Sequence, residues 1–343
     1  MSRASDATIA VVTPHFQRAP GLLARALTSA FGQTVGPRVL AIVCDDGSPV
    51  PARDELARLP AAWRERVILV EQANAGAGAA RNRALDRVPA GTRLVAFLDS
   101  DDTWRDHHLA SAEAALADDH DAYFADWCSF NFPGTTNFTR IGALDADAHA
   151  PLPHAPHARE LGVSPLEHIV RDGGGVIQTS TVVYRHDRHP ALRFREEFFN
   201  GQDFFFWMDL GERGARFVFS TRVDADNGEG VNIYQGAGWG TERSLQRLRN
   251  ELFVWTSVRR IYRLTDMQRA SNRRTIRHLQ AGVVRDVLHR LRRRQPVRLA
   301  LLRDIVAMDP AILMLAPWVP LRVLLDRGRD RLGGPVGNRG ARP

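Results

Sequence analysis

The apolar residues in the first part of the chain form short runs separated by segments with helical spacing. Four runs that are rich in β-branched and other apolar residues read as strands: TIAVVTP, RVLAIVCDDGS, RVILVEQ and RLVAFLDSDD. Two segments between them read as helices, the first with Pro20 near its start: PGLLARALTSAF and AGAARNRALDRV. Strands that alternate with helices predict βαβ units and a mostly parallel sheet.

The middle of the chain has a less regular pattern. A helix is predicted over about residues 108–116, and AYFADWCSF predicts a strand after it. Residues 133–158 are rich in Pro, His, Ala and Gly and have no periodicity, so we interpret them as an insertion or mobile loop. GGGVIQTSTVVYR then predicts a strand, and GQDFFFWMDLGERG predicts a helix that ends at a glycine.

The last part of the chain differs in both pattern and charge. From about Thr241 the spacing is helical and arginine is abundant, so we predict two domains, residues 1–240 and 241–343. Residues 1–242 hold 23 arginines and 32 acidic residues, whereas residues 243–343 hold 23 arginines and 7 acidic residues. The net charge of +7 therefore conceals an acidic first part and a strongly basic second part.

The basic segment over residues 296–332 mixes apolar runs with arginine and contains several prolines. It suits an amphipathic helix at an anionic membrane surface. It equally suits a helical bundle packed on the catalytic domain or on a second subunit, so a homo-oligomer is an alternative. Nucleic-acid binding is not expected, because the segment has neither a recognition motif nor interleaved stacking aromatics.

Composition excludes several classes of protein. The chain has no lysine, which rules out a Schiff-base lysine and a P-loop lysine. Cys44 and Cys128 are too few for a disulfide framework and lie in strand-like surroundings, so we expect buried free thiols in a reducing compartment. Neither a signal peptide nor an apolar run of about 18 residues is evident, so a cytoplasmic protein is expected.

Polar residues follow three of the predicted strands. Asp45, Asn74 and Asp99 each come just after an apolar run, at the carboxyl end where open α/β sheets bind their ligands. In FLDSDD, the carboxylates of Asp99, Asp101 and Asp102 are close enough to repel one another. A divalent cation with oxygen ligands would compensate that charge, and a helix cap or a solvated loop is the alternative.

The loop NAGAGAARN could be mistaken for a dinucleotide-binding fingerprint, because Gly76 and Gly78 have G-x-G spacing. Arg81 occupies the third glycine position, and the loop follows the third strand rather than the first. Dinucleotide binding is therefore the poorer interpretation.

CDDGS, NAGAGAARN and FLDSDD occur in this order, each after a predicted strand. This arrangement resembles the family 2 glycosyltransferases over roughly residues 7–235. The resemblance implies a GT-A fold, which is a mostly parallel sheet flanked by helices, here followed by a helical C-terminal region. It also implies a nucleotide-sugar donor and a divalent cation, Mg²⁺ or Mn²⁺.

The resemblance also implies a donor site. Asp45 would accept a hydrogen bond from a uracil-like base, Asp46 and Ser48 would shape the turn, and Asp102 would cap or orient the next segment. Arg81 would reach the nucleotide, although a solvated helix residue is an alternative. Asp99 would bind the ribose side and Asp101 would ligate the cation, with Asp99 as a second metal candidate. The full set of donor-site candidates is Thr13, Pro14, Phe16, Asp45, Gly76, Arg81, Asp99, Ser100 and Asp101.

For the acceptor side, the resemblance places a general base in a Glu-Asp pair that heads a helix. Here the pair is Gln202 and Asp203, so Asp203 is the candidate base; a carboxylate that only stabilises the helix dipole is the alternative. The loop DNGEGVNIYQGAGWG could close over the sugar with Trp239 stacked on it, or it could be an ordinary loop.

Together these features predict an inverting, metal-dependent transferase. It would move a sugar from a UDP-linked donor to a hydroxyl of a glycan or lipid-linked glycan, as in bacterial surface polysaccharide synthesis, at the inner face of the membrane or in the cytoplasm. A sugar-phosphate nucleotidyltransferase and an inactive glycan-binding or scaffold protein are the alternatives.

Overall fold

The structure is a computed structural model that describes residues 9–117, 119–142, 144–231 and 236–315. These residues form two compact units, one that ends at residue 231 and one that begins at residue 236. The predicted domain limits, residues 1–240 and 241–343, stay a prediction.

The first unit is built on one sheet. Its strands in chain order are β1 Ile9–His15, β2 Val39–Asp45, β3 Val67–Glu71, β4 Leu94–Phe97, β5 Thr103–Trp104, β6 Ala122–Ser129, β7 Pro151–Leu152, β8 Ala155–Glu160, β9 Val183–Arg185 and β10 Phe217–Asn227. Their order across the sheet is β3-β2-β1-β4-β9-β6-β10-β8-β7, and β5 pairs with β10. Strands β1 to β4 are parallel to one another, which confirms the βαβ prediction, whereas β9 is antiparallel to both of its neighbours.

Helices pack on this sheet. They are α1 Leu22–Phe31, α2 Ala52–Leu56, α3 Ala61–Arg64, α4 Ala77–Leu85, α5 His108–Ala115, α6 Asn137–Ile141, α7 Pro165–Asp172 and α8 Gln202–Glu212. Helix α1 shows why the sequence pattern was informative, since its buried residues recur every three or four positions: Leu23, Ala26, Leu27 and Ala30. They share one apolar core with the inward-facing residues of β1 and β2, such as Val11 and Ala41.

The structure corrects the interpretation of residues 133–158 as an unstructured insertion. This range contains α6, β7 and the start of β8, and β8 pairs antiparallel with β10 through Ala158, Arg159 and Glu160. Ala155 and Ala158 are the buried residues of β8, so its burial does not alternate strictly and the period of two is missing. The predicted strand in GGGVIQTSTVVYR is also shorter, because the 3₁₀ helix Thr179–Thr181 precedes β9.

The second unit is helical, as predicted. Its helices are α9 Ser244–Ile261, α10 Asp266–Arg292, α11 Leu299–Met308 and α12 Ile312–Leu315. Helix α10 starts with a capping box, in which the Thr265 hydroxyl accepts from Gln268 N–H and the Gln268 side chain accepts from Thr265 N–H. Residues 316–332 of the predicted basic segment lie outside the described residues. Within the described ranges, every helix is too short or too polar to cross a bilayer.

Buried polar side chains join two helices of the second unit. Arg290 Nε donates to Asp286 Oδ2 at 2.7 Å, and Ser244 Oγ donates to Asp286 Oδ1 at 2.5 Å. Arg290 also donates to the Thr241 carbonyl at 2.6 Å. Asp286 is fully buried and Arg290 is 5% exposed, so the two charges compensate each other in the interior.

Candidate functional site

The polar residues of the candidate site lie at the carboxyl ends of parallel strands β1, β2 and β4. His15 and Asp45 are opposite each other in the register of β1 and β2, and Leu98 N–H donates to the Val12 carbonyl at 3.1 Å. The loops that follow these strands therefore meet at one edge of the sheet, as predicted for Asp45 and Asp99.

Two adjacent aspartates organise the loops at this edge. Asp45 Oδ1 accepts from Ser48 N–H at 2.8 Å, and Oδ2 accepts from Ala52 N–H at 2.7 Å. Asp46 reaches the next loop, where it accepts from the N–H groups of Ala75 at 2.8 Å and Gly76 at 2.9 Å.

These bonds differ from the roles predicted for Asp45 and Asp46. Asp45 itself shapes the turn together with Ser48, whereas Asp46 holds the glycine loop rather than only its own turn. The carboxylate of Asp45 is 6% exposed, and both of its oxygens are engaged inside the loop. Its contact with a base stays a prediction.

Arg81 on α4 is paired with Asp99, the first carboxylate of residues 99–102, which we call the acidic loop. Its Nη2 donates to Asp99 Oδ1 at 2.5 Å, and its guanidinium carbon lies 5.3 Å from the ring centre of Phe194. Arg81 is 4% exposed, so the alternative of a solvated helix residue is wrong. Its Nε and Nη1 are buried and have no hydrogen-bond partner among the described residues. Buried donors without a partner are rare in folded proteins, and a ligand reaches these two only after neighbouring side chains move.

We predicted that Asp102 caps or orients the next segment. The structure gives its carboxylate a wider set of contacts. It is 1% exposed and accepts from Ser180 Oγ at 2.6 Å and from Gln178 Nε2 at 2.8 Å. Asn227 Nδ2 and Gly228 N–H also donate to it, each at 2.9 Å. Asp102 thus joins three chain segments. Burial and the charges of the neighbouring aspartates raise the pKa of its carboxyl to about 7.

Asp101 is the predicted cation ligand, and that role stays a prediction. Burial, followed by the charge of Asp99, raises the pKa of the Asp101 carboxyl to about 6. A bound cation would offset the repulsion between the Asp99 and Asp101 carboxylates. Carboxylate oxygens are ligands that Mg²⁺ and Mn²⁺ accept. No group of three or more His, Cys, Asp or Glu suited to a metal occurs among the described residues. The donor set fits a cation that takes most of its ligands from a diphosphate and water.

Asp203 is the second residue of α8, which begins after Gly201 in a left-handed conformation (φ 74°). Its Oδ1 accepts from Phe204 N–H at 3.0 Å, and Thr179 Oγ1 lies 3.5 Å from its Oδ2. Burial raises the pKa of the Asp203 carboxyl, and the positive charge of Arg81 opposes that effect. The carboxylate therefore lies within the electrostatic reach of the predicted donor site.

A close contact brings α4 against α8, the helix that carries Asp203. A Cβ atom on Gly78 would lie 3.2 Å from Gln202 Cγ, so the glycine lets α4 approach α8. Asn82, also on α4, donates from Nδ2 to the Phe194 carbonyl at 2.9 Å. The structure thus brings Arg81, Asp99 and Asp203 together, and Asp101 follows Asp99 in the same loop.

The predicted base-binding residues are exposed to different degrees. Thr13 is fully buried and pairs with Val43 inside the sheet, since β1 extends to His15. Pro14 is buried as well, and Phe16 is the partly exposed member of this set. Phe16 is therefore the member of this set with a side-chain surface open to a ligand, and its contact with a base stays a prediction.

Sequence analysis missed Gln17. This side chain is 4% exposed, and its Nε2 donates to the hydroxyl of Ser100 at 3.1 Å. Ser100, a predicted donor contact, is thereby held by a residue from the end of the first strand. Ser180 was assigned no role either, yet its hydroxyl donates to Asp102 and accepts from Asp99 N–H at 3.0 Å. Four consecutive polar residues, QTST, within the otherwise apolar stretch VIQTSTVV were the signal available for Ser180.

Trp239 and the cysteines complete the predicted set. Trp239 belongs to the second unit, is 58% exposed and lies 5.7 Å from the ring of His289. Residues 232–235 of the predicted lid segment lie outside the described residues, so closure over a sugar stays a prediction. Both cysteines are free; Cys44 is buried as predicted, whereas Cys128 is partly exposed.

Comparison with known proteins decides the family. Residues 10–177 match the model of glycosyl transferase family 2. The chain is 33% identical over 257 residues to the succinoglycan biosynthesis protein ExoW of Rhizobium meliloti (strain 1021), which covers 74% of this chain and 77% of ExoW. The chain is a family 2 glycosyltransferase. Membership confirms the resemblance seen in the sequence and argues against a nucleotidyltransferase.

Solved structures confirm the fold of this glycosyltransferase. S. aureus TarS 1-349 in complex with UDP-GlcNAc superposes with a TM-score of 0.54 at 16% identity, covering 90% of this chain and 82% of TarS. The mannosyltransferase PcManGT from Pyrobaculum calidifontis in complex with GDP-Man and Mn²⁺ gives 0.53 at 15% identity, covering 94% and 82%. The GT-A prediction, a mostly parallel sheet flanked by helices with a helical C-terminal region, is therefore correct.

Proposed function

We propose that this glycosyltransferase moves a sugar from a nucleoside diphosphate to a hydroxyl of a glycan or lipid-linked glycan, with inversion at the anomeric carbon. The proposal rests mainly on the ion pair between the buried Arg81 and the partly exposed Asp99, which lies within electrostatic reach of Asp203. It combines donors for a nucleotide with a carboxylate that can accept a proton.

On the donor side, Arg81 is the main anion-binding residue of the proposal. Its buried Nε and Nη1 have no partner among the described residues, and they would donate to the nucleotide once its binding displaces the side chains that cover them. Asp99, 30% exposed, would accept from a ribose hydroxyl while it keeps Arg81 in place. Gly76 N–H already donates to Asp46 and is not available to the nucleotide. The role of Gly76 would be to let the nucleotide come close to the backbone, because glycine has no side chain.

Asp101 would hold the divalent cation, with Asp99 as the neighbouring carboxylate. When bound, such a cation supplies positive charge that stabilises the leaving diphosphate. PcManGT was solved with GDP-Man and Mn²⁺, and TarS with UDP-GlcNAc. We favour a UDP-linked sugar for this chain, with the partly exposed Phe16 against the uracil-like base, and Mn²⁺ or Mg²⁺ as the metal.

On the acceptor side, Asp203 would act as the general base. It would remove the proton from the acceptor hydroxyl as that oxygen attacks the anomeric carbon on the face opposite the diphosphate. Burial raises the pKa of this carboxyl, which makes it a stronger base than an exposed aspartate. A single displacement of this type inverts the anomeric configuration.

The relative ExoW is named for succinoglycan biosynthesis, and we propose that this chain likewise builds a surface polysaccharide. Such a reaction at the inner face of the membrane agrees with the basic second unit, whose arginines would be attracted to anionic lipid. Sedimentation with anionic vesicles that weakens as salt rises would support this contact. Equal sedimentation of a chain shortened at residue 295 would assign the predicted tail to bundle packing.

The proposed reaction is tested by thermal stabilisation and by product analysis. Nucleotide-sugars that bind the folded state raise its melting temperature, and the donor should do so more strongly with Mn²⁺ than with EDTA. The anomeric configuration of the product, read by NMR, should be opposite to that of the donor. Retention of configuration would contradict the proposal, and so would a rise in melting temperature that is the same with Mn²⁺ as with EDTA.

A further inference from the structure

Residues 227–231, which we call the glycine strap, lie against the acidic loop. Gly228 N–H donates to Asp102 Oδ1 at 2.9 Å, and Gly230 N–H donates to Asp101 Oδ2 at 2.9 Å. The strap is distant in sequence from both acceptors, so these bonds are tertiary contacts.

Gln17 holds the other end of the strap. Its Oε1 accepts from Val231 N–H at 3.1 Å, while its Nε2 donates to Ser100 Oγ at 3.1 Å. Ser100 lies directly before Asp101, so Gln17 joins the strap to the loop that carries the proposed metal ligand. Gln17 is 4% exposed and has an acceptor and a donor, both of which are used.

The glycines of the strap are required by close packing. A Cβ atom at position 228 would lie 1.8 Å from the Asp101 carbonyl oxygen, and one at position 230 would lie 2.3 Å from Asp101 Oδ2. These distances are far below van der Waals contact, so a side chain at either position must displace the strap or Asp101. The strap therefore approaches Asp101 as closely as a backbone can.

We propose that the glycine strap orients the Asp101 carboxylate for the metal, and that Gln17 and Asp102 are positioning residues that hold the strap. The proposal rests on the function given above, in which Asp101 is the metal ligand. The reason is physical: a carboxylate that accepts a fixed N–H loses rotational freedom before the metal arrives. Removal of partners that orient a ligand typically lowers metal affinity 10- to 100-fold.

Proteolysis measures how firmly the strap is held, without reference to activity. Glu229 is exposed in the middle of the strap, so a glutamate-specific protease can cut after it once the strap opens locally. We expect slow cleavage of the full chain at this bond, and slower cleavage with MnCl₂ plus UDP or with MnCl₂ plus GDP. Faster cleavage with these ligands would mean that the strap is a cover that the metal displaces, and would overturn the proposal.

Two variants release the strap by different means. Gly230→Ala introduces the forbidden Cβ, whereas Gln17→Met has nearly the same shape but no hydrogen bonds. Both should speed cleavage at Glu229 and weaken Mn²⁺-dependent UDP binding by about 10- to 100-fold in calorimetry. UDP affinity in EDTA should stay within about threefold. Gln246→Met is the matched control for Gln17→Met, because Gln246 is exposed on α9.

The outcomes separate this proposal from the proposed function. If wild type binds neither UDP nor GDP with Mn²⁺, the function is wrong and the proposal falls with it. If wild type binds but both variants bind as tightly, the strap does not orient Asp101 and only this proposal is overturned. Melting temperatures identify a variant that fails to fold, and Gln17→Met then decides in place of Gly230→Ala.

Discussion

Arg81 Nη2 donates to Asp99 Oδ1 at 2.5 Å in an ion pair whose arginine is 4% exposed. The pair joins α4 to the loop after β4, and it leaves two buried N–H donors of Arg81 without a partner among the described residues. A guanidinium placed in this way supports the fold through Asp99 and can still bind an anion.

Arg81→Lys should weaken the binding of the donor nucleotide. A planar guanidinium can donate to Asp99 and to the ligand at the same time, whereas the compact ammonium of lysine cannot reach both. Two hydrogen bonds to a charged group are at stake, so we expect a loss of about 10- to 100-fold in calorimetric affinity. Arg83→Lys is the control, since Arg83 lies on the same helix and is exposed. Equal effects of the two variants would argue against a donor contact by Arg81.

Asp203→Asn should separate binding from chemistry. Asparagine keeps the shape of the side chain but cannot accept the acceptor proton, so turnover should fall by roughly 10²- to 10⁴-fold. Donor affinity should remain within a few-fold of wild type. Glu212→Gln, at the exposed end of the same helix, should leave both unchanged. Collapse of donor binding in Asp203→Asn would assign the residue to the donor site instead.

The pH dependence of turnover should report the environment of Asp203. The base works only when ionised, and burial raises its pKa, so activity should rise with pH through a range above that of an ordinary aspartate. Arg81 lowers this pKa by its charge. Arg81→Gln should therefore move the acidic limb of the kcat profile to higher pH. An unmoved limb, or a shift to lower pH, would show that another group controls it.

Asp101→Ala should remove the dependence of UDP binding on Mn²⁺. The side chain lies in a loop after a strand and fills no core volume, so the melting temperature without ligand should change little. Calorimetry with and without EDTA is the measurement, and Asp106→Ala, at a 76% exposed side chain, is the control. Metal-dependent binding that survives in Asp101→Ala would place the cation elsewhere.

Asp286→Ala should destabilise the second unit. The change leaves Arg290 buried without its carboxylate, which typically costs about 3–5 kcal/mol. Chemical denaturation should show the loss, and Asp304→Ala, at an exposed position of α11, should show almost none. The double variant Asp286→Leu with Arg290→Met should recover much of the lost stability. If it does not, the cost of the single variant comes from lost packing rather than from an unpaired charge.

The main features of the fold and the site could be read from the sequence because they are local. Asp99 and Asp101 directly follow an apolar run, and Asp203 heads a helix with clear spacing. The role of Asp102 depends instead on Ser180, 78 positions away, and on Asn227, 125 positions away. Gln17 likewise contacts Val231 across 214 positions. Such partners are set by the tertiary arrangement of loops, and strand or helix periodicity carries no information about them.

The contact between Gly78 and Gln202 has a consequence for how this chain can vary. A Cβ at position 78 would meet Gln202 Cγ at 3.2 Å, so the two positions share one volume. An alignment of close relatives should therefore show covariation: a residue larger than glycine at 78 should accompany a smaller one at 202. Libraries that aim to change the accepted sugar should randomise these two positions as a pair. A single change would alter the spacing between α4 and α8, the helix that carries Asp203.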